Sequence, residues 1–168
     1  MATTRYTDIG TNQQDGLNFP GGGLTTQPGT FNDPILEGST LNLITATYTM
    51  TGTEVANDLI YIARIPAGTL ISPESNVAGN GVAATATLTV GDTDTQGATV
   101  SADLSRYSGS IDVHSAMTAP LAFASGTVLT APASTTDEGV WVVGKFATLA
   151  TPAAGYKLVF RLRATNNR

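Results

Sequence analysis

The chain has 168 residues and a mass of 17.2 kDa, enough for one domain that buries a hydrophobic core without disulfides or bound metal. It contains no cysteine, which excludes disulfides, thiolate metal sites and thiol nucleophiles. Charged residues make up only 12% of the chain, about half the usual share, so we expect a partner to cover much of the surface. The net charge of −5 argues against general nucleic-acid binding.

Charge is unevenly distributed along the chain. The final thirty residues carry a charge of +5, because every acid lies at or before Glu138. We expect this basic end to be able to contact an acidic partner. The sequence has no apolar N-terminal leader and no apolar run long enough to span a membrane, so we expect a soluble chain made in the cytoplasm without membrane contact.

Residues 1–38 contain the segments FPGGGL, QPG and NDP and show no sustained apolar period. We interpret them as an extended arm that is either mobile or laid along a neighbouring molecule, and a tail without a role is the alternative. Phe19 and Phe31 are the residues of this arm that we select as candidate partner contacts.

A single domain is predicted over residues 39–168, beginning with a strand from Leu41 in which apolar side chains alternate with threonines. Strands are also predicted at 59–65 and 69–71. The clearest alternation is GVAATATLTVGD at residues 81–92, where five apolar side chains face one way: Val82, Ala84, Ala86, Leu88 and Val90. We interpret this segment as scaffold, with Gly91 and Asp92 turning the chain.

Further strands are predicted at 110–113, 127–130, 140–149 and 156–165, with at most one helical turn near 103–107. The segment ATPAAGY between the last two strands predicts a C-terminal hairpin. Many short strands separated by Gly and Pro are typical of an all-β fold, either an antiparallel β-sandwich or a jelly roll. In the last strand the basic residues share one face: Lys157, Arg161 and Arg163.

Asp92, Asp94, Gln96 and Asp103 partly match the spacing of a calcium-binding loop. A strand precedes this segment, and an Asp stands where the template has a bidentate Glu. We therefore interpret it as an acidic, solvated turn, with calcium binding as the alternative.

Signals for catalysis are weak. His114 is the only histidine, and we interpret it as a surface residue near a strand end. The carboxylate pairs Asp137 with Glu138 and Glu54 with Asp58 fit surface turns better than glycosidase acids. The sequence has neither a phosphate-binding lysine loop nor a dinucleotide fingerprint, so we expect no cofactor and no enzymatic activity.

Trp141, together with tyrosines, can be imagined as a sugar-binding platform. It lies, however, within a valine-rich strand, so we expect it to be part of the core.

Four segments in this order resemble small virion proteins of tailed bacteriophages, of the head decoration, cement or capsid fibre type: TYTMTGTEVANDLIYIARIPAGTLI, GVAATATLTVGD, SRYSGSIDV and EGVWVVGKFATLATPAAGYKLVFRL. The resemblance covers about residues 46–165. It implies an oligomeric β-sandwich and transfers no catalytic residue. Where the family loop has an acid before Arg-Tyr, this chain has Ser105, so a role for that acid does not carry over.

The resulting expectation is a phage head decoration or cement protein that binds the major capsid protein and stabilises the head. We expect a homotrimer on the head surface, made in the host cytoplasm, with Lys157, Arg161 and Arg163 against an acidic capsid surface. A carbohydrate- or surface-binding module with an accessible Trp141 is the alternative, and a hydrolase that uses His114 is a third possibility.

Overall fold

The computed structural model describes residues 4–7, 41–65, 69–93, 103–121, 129–130 and 140–165. These residues form eleven β-strands and no helix: β1 (Thr4–Tyr6), β2 (Leu41–Thr49), β3 (Leu59–Ile65), β4 (Leu70–Ile71), β5 (Asn76–Asn80), β6 (Ala83–Thr93), β7 (Asp103–Asp112), β8 (Ala116–Pro120), β9 (Leu129–Thr130), β10 (Val140–Pro152) and β11 (Lys157–Thr165).

The strands form two sheets. Sheet A has the order β1-β3-β10-β6-β7, and sheet B has the order β8-β5-β11-β4-β9, with β2 on the other side of β11. Strand β11 is central to sheet B because β2 pairs with it from Leu41 to Thr49, while β5 and β4 share its opposite edge. All pairs are antiparallel except β1 with β3. The prediction of an all-β antiparallel sandwich is confirmed, and the jelly-roll alternative stays a prediction.

Alternating side chains build the main core between the sheets. In β2, Ile44, Ala46 and Tyr48 are buried, whereas the threonines between them point outward. In β11, Leu158 and Phe160 are buried in the same way. Each fully buried large apolar side chain contributes about 1.5–3 kcal/mol. The predicted period of two is therefore correct for both strands.

One end of sheet A is buried on both faces. Every residue from Ile60 to Ile65 in β3 is buried, as is every residue from Val140 to Gly144 in β10. Tyr61, Trp141 and Val143 form a second apolar cluster, separate from the main core. Near-continuous apolar runs such as LIYIARI are typical of strands that are covered on both sides.

The predicted C-terminal hairpin is wrong, because β10 belongs to sheet A and β11 to sheet B. The turn between them bonds instead to the residue after β2. The Met50 amide donates to the Tyr156 carbonyl, and the Gly155 amide donates to the Met50 carbonyl, each at 2.8 Å. Gly155 has a φ of 84°, which favours glycine. The chain therefore crosses between the layers at this turn.

Gly91 and Asp92 do not turn the chain, and residues 103–107 are not helical, because these segments lie within β6 and β7. Val90 pairs with Ser108 and Asp92 with Asp103, so Gly91 alone lies opposite residues 104–107. This is a large β-bulge, which re-aims side chains and increases local twist. A Cβ on Gly91 would lie 2.0 Å from the Asp103 carbonyl oxygen. Only glycine fits at this close approach of the two backbones.

The other predicted strands differ from the observed ones mainly in where they begin and end. Strand β7 begins before the predicted 110–113 segment, and β10 continues to Pro152. Strands β1, β5 and β8 were missed. Strand β1 lies in the segment interpreted as an arm and is identified only by its pairing with β3. Strand β5 (NVAGN) has little apolar alternation and is stabilised by its pairing with β11 and β8. Ala84 is exposed, although alternation places it on the core face.

No helix in the described part of the chain is long and apolar enough to cross a membrane.

We expect Gly91→Ala to destabilise the fold by at least about 3 kcal/mol or to prevent folding, because the new methyl group overlaps the β7 backbone. Thermal unfolding of the purified variant measures the effect. Gly109→Ala is the matched control, since nothing lies within 4 Å of a Cβ at that position. Equal melting temperatures for the two variants would contradict the bulge.

Candidate functional site

The outer face of sheet B carries the basic residues that the sequence selects. Lys157, Arg161 and Arg163 alternate with the buried side chains of β11 and lie on the opposite face. Across the β2 pairing, Lys157 lies beside Thr49, Arg161 beside Thr45 and Arg163 beside Leu43. We call this surface, made of alternate residues 43–49 of β2 and 157–163 of β11, the β11 face.

Two of the three cations of the β11 face have polar neighbours. The Arg161 guanidinium donates to the Asn76 side-chain oxygen at 3.4 Å. Arg163 forms an ion pair with Glu74, and both side chains are substantially exposed. Glu74 offsets one of these three positive charges, so the β11 face keeps a net charge of two positive charges. The β11 face is therefore suited to an acidic surface.

The β2 side of the β11 face carries the short side chains of Thr45, Thr47 and Thr49. Leu43 is the exception, an apolar side chain that is 59% exposed. Arginine and apolar side chains are enriched in the centres of protein interfaces. This surface can therefore bind a partner by area, with Leu43 as an apolar contact among the cations.

A second polar site lies at the β3 edge of sheet A, where the N-terminal strand docks. Arg5 of β1 contacts the loop between β2 and β3. Its side chain is 14% exposed, and the side chains of Glu54 and Asp58 are fully buried. We call Arg5, Tyr48, Thr51, Glu54 and Asp58 the Arg5 cluster.

Glu54 is held by its own loop. It accepts hydrogen bonds from the Tyr48 hydroxyl at 2.7 Å, the Thr51 amide at 2.6 Å, the Thr51 hydroxyl at 2.7 Å and the Gly52 amide at 2.9 Å. Four donors on one carboxylate satisfy a charge that would otherwise be costly to bury. The body of the domain therefore orients this acid before any contact with Arg5.

Arg5 bridges both acids and the loop backbone. Its Nε donates to Asp58 Oδ2 at 2.8 Å, and its Nη1 lies 3.5 Å from Glu54 Oε1. Nη2 donates to the Thr53 carbonyl at 3.0 Å. Asp58 also accepts from the Val55 amide at 3.0 Å. The planar guanidinium fits this set because it presents several donors in fixed directions.

The pKa values follow from these contacts. Burial alone would raise the pKa of Glu54, but the hydrogen bonds from Thr51 and Tyr48 outweigh it and lower the pKa to about 2. Partial burial would lower the pKa of Arg5, yet the hydrogen bond to Asp58 and the negative charges nearby raise it. Burial and the bond to Glu54 raise the pKa of Tyr48. Glu54 and Arg5 are therefore both charged at neutral pH, while the hydroxyl of Tyr48 keeps its proton.

The interpretation of Glu54 and Asp58 as residues of a surface turn is wrong, because both are buried. The loop folds inward around the carboxylates, and Arg5, 53 residues before Asp58 in the sequence, forms ion pairs with both of them. The closeness of two acids and three threonines in TMTGTEVAND was the available signal, but nothing in the sequence connects them to Arg5.

Asp92 is not part of a solvated turn either. It is buried in β6, with Arg106 Nε 2.7 Å from its Oδ2. Burial raises the pKa of Asp92, and Tyr107 and Arg106 offset this only in part. The Arg-Tyr pair of the resemblance therefore lies in the β7 bulge beside Asp92, with Tyr107 buried and Arg106 partly exposed.

Part of the segment that matches a calcium-binding loop lies outside the described residues. Asp94 and Gln96 lie outside the described residues. Within the described ranges, no group of three or more His, Asp or Glu side chains is placed to hold a metal ion. The Asp137 and Glu138 pair and the arm residues Phe19 and Phe31 also lie outside these ranges.

His114 is exposed and follows the end of β7, as expected. Its Nδ1 lies 2.5 Å from Asp112 Oδ1, and its amide donates to the same oxygen at 3.1 Å. These bonds lower the pKa of Asp112. His114, Asn80 and Tyr156 line a shallow depression of about 280 Å³ at one end of the sandwich.

Trp141 is not an open platform. It is 1% exposed and packs edge-to-face against Tyr61, with ring centroids 5.4 Å apart. The Arg64 guanidinium carbon lies 5.7 Å from the indole centroid. The prediction that Trp141 is buried is confirmed, although it belongs to the second cluster and not to the main core.

Two solved structures share this fold. A chain of the Ralstonia phage GP4 capsid has a TM-score of 0.69, covering 99% of this chain and 99% of that chain at 16% identity. A chain of the cyanophage Pam1 capsid asymmetric unit has a TM-score of 0.59, covering 89% of this chain and 92% of that chain at 18% identity. At these identities the likeness establishes the fold. No protein-family model matches the sequence, and no curated protein matches it.

We expect Glu54→Gln to reduce stability by about 2–3 kcal/mol at pH 7, because the charge that Arg5 and the loop donors stabilise is lost. The folded-state pKa is below the ordinary value, so this contribution is present above about pH 4.5 and is lost as the pH falls towards 2. Denaturant unfolding across this range measures the difference between variant and wild type.

Glu74→Gln, at an exposed ion pair, is the control for Glu54→Gln and should change stability little. The pKa of Asp92 is raised, so the contribution of Asp92 to stability changes with pH in the opposite direction to that of Glu54. The stability of each variant is therefore compared with that of the wild type at the same pH. A Glu54→Gln effect that does not shrink on acidification would contradict the charged cluster.

The single tryptophan allows its burial to be tested directly. We expect emission from Trp141 to be shifted to short wavelength and to be poorly quenched by acrylamide, because solvent does not reach the indole. Unfolding in denaturant should restore full quenching. Strong quenching of the folded protein would contradict the packing of the second cluster.

Proposed function

We propose that this chain is a bacteriophage head protein that decorates the shell, binding the major capsid protein and stabilising the lattice without catalysis. The observation that carries the proposal is the likeness, along 99% of both chains, to a chain of a phage capsid. A chain from a second phage capsid has the same fold. The ordered segments that resemble phage virion proteins point in the same direction.

The β11 face is the proposed contact with the major capsid protein. It is basic, and it carries the exposed side chain of Leu43. Exposed ion pairs contribute only about 0–1 kcal/mol each, so most of the affinity must come from contact area. Lys157, Arg161 and Arg163 orient the contact, and Phe19 and Phe31 of the arm add apolar area in this proposal.

A homotrimer on the outer head surface is the proposed assembly, reached after synthesis in the host cytoplasm. Closed cyclic symmetry suits positions where three capsid subunits converge, since each protomer then meets an equivalent surface. The low charged fraction of 12% fits a protein with surface covered by neighbours.

Carbohydrate or surface binding is the second candidate function. Because Trp141 is buried, the aromatic side chain that this function depended on most cannot contact a ligand. The observation that still favours it is the depression of about 280 Å³, where Tyr156 is 40% exposed beside Asn80 and His114. An aromatic ring with polar neighbours is a common sugar-binding arrangement.

We expect Lys157→Glu combined with Arg161→Glu to weaken binding to undecorated heads by roughly ten-fold, because two attractions to an acidic surface become repulsions. Cosedimentation of the purified protein with heads measures the occupancy. Lys145→Glu, on β10 of the other sheet, is the control and should bind normally. Equal binding of all three proteins would rule out the β11 face as the contact.

A further inference from the structure

We propose that the depression lined by Asn80, His114 and Tyr156 binds one uncharged pyranose ring of a glycan. The depression lies at one end of the sandwich, where the end of β5, the end of β7 and the start of β11 meet. The inference names the ligand class of the second candidate function, on which it rests, and goes beyond attachment to the head.

The lining of the depression carries no permanently charged side chain. Among the described residues that form it there is no Asp, Glu, Lys or Arg, and its polar side chains are those of Asn80, His114, Ser115, Thr151 and Tyr156. A charged ligand would lose hydration there without gaining an ion pair, which is unfavourable. An uncharged sugar matches this lining, because its hydroxyl groups both donate and accept hydrogen bonds.

Two polar side chains of the depression are oriented by the protein itself. The Asn80 side-chain oxygen accepts from the Lys157 amide at 2.9 Å, so the Asn80 NH2 group is left as a donor. The Nδ1 atom of His114 lies 2.5 Å from Asp112 Oδ1, so we assign the proton to Nδ1, and Nε2 of the neutral ring is an acceptor. The depression therefore offers a sugar hydroxyl both a donor and an acceptor.

Tyr156 supplies the apolar surface of the depression. It is 40% exposed, and it is the only aromatic residue among the exposed large hydrophobic residues of the described part of the chain. The C–H face of a pyranose ring is apolar and packs against the electron-rich face of an aromatic ring. A tyrosine also provides this contact area at a low cost in side-chain entropy.

The turn between β10 and β11 that presents this aromatic ring is held by contacts with two other segments. The Ala153 amide donates to the Val82 carbonyl at 3.2 Å. On the other side, a Cβ at Gly52 would lie 3.2 Å from the Ala154 amide nitrogen, and the Gly52 amide is itself bound by Glu54. The Arg5 cluster therefore supports the turn from behind, and little ordering is needed when a ligand binds.

Backbone strain provides an observation that is independent of the lining chemistry. Thr151 lines the depression with a φ of 55°, a left-handed conformation that β-branched residues rarely adopt. Among the described residues, Asn57 is the only other non-glycine residue with a positive φ. Strain of this kind concentrates at ligand-binding sites, where the surrounding structure maintains it. It points to the same depression as the side chains do.

The size of the depression sets the expected affinity. Its volume of about 280 Å³ is below the roughly 300–1,000 Å³ of pockets that enclose a drug-sized ligand, so it accommodates one ring at a time. A ligand with so few atoms in contact should bind with a Kd on the order of millimolar.

Saturation-transfer NMR detects binding of this strength. The full-length protein is mixed in turn with the methyl glycosides of glucose, galactose and mannose, with N-acetylglucosamine, and with glucuronate as the charged comparison. We expect signals from at least one neutral sugar and none from glucuronate. The absence of a signal from every neutral sugar, or a glucuronate signal of equal strength, overturns the proposal.

Two variants of Tyr156 assign the signals to the depression. Tyr156→Ala should weaken them at least about ten-fold, because the stacking surface is lost, whereas Tyr156→Phe keeps the ring and should retain them. Both variants should fold, since the side chain is exposed and the Tyr156 carbonyl, which binds Met50, is unchanged. Emission from the buried Trp141 checks this. Equal sugar signals from Tyr156→Ala and the wild type overturn the site.

Cosedimentation of the wild type with undecorated heads separates this inference from the proposed head function. Sugar binding without head binding supports the site and contradicts the β11 face as the head contact. Head binding without sugar binding overturns the site and leaves the head function standing.

Discussion

Two carboxylates buried at the edge of a sheet need a cation, and Arg5 meets both of them. Buried ion pairs add little net stability, because desolvation offsets most of the attraction, but leaving one charge unpaired is costly. The Arg5 cluster therefore acts mainly by specificity, fixing where and in which register the short β1 strand pairs with β3. A three-residue strand would otherwise be too short to hold a unique position.

The two sheets differ in which of their faces are exposed. Sheet A is covered on both faces at one end, where β3 and β10 are buried along consecutive residues. Sheet B buries one face in the main core and presents the β11 face outward. In the proposed function, the β11 face of sheet B is the surface that contacts the capsid shell.

Local alternation predicted much of the fold. The exposure pattern of β2 follows from alternation, because a strand with one face in the core repeats every two residues. The bounds of β3 follow instead from the near-continuous apolar run LIYIARI, which ends at Pro66. The Gly91 bulge breaks this rule, since one residue opposes several and the pairing register cannot be read from either strand alone. The crossing from β10 to β11 was missed for a similar reason, as hydrogen bonds to Met50 direct that turn.

The sequence allowed the β11 face to be predicted but not the Arg5 cluster. The shared face of Lys157, Arg161 and Arg163 follows directly from alternation in β11. The Arg5 cluster does not, because its members come from the N-terminus and from a loop about fifty residues later, and only the fold brings them together. Long-range ion pairs of this kind carry no local pattern.

The most direct test of the account is an electron cryomicroscopy map of the phage particle at a resolution that traces strands. The account predicts this two-sheet domain on the outside of the head, with the β11 face against the major capsid protein. A map that places the domain away from the head shell, or with the β11 face turned to solvent, would contradict it.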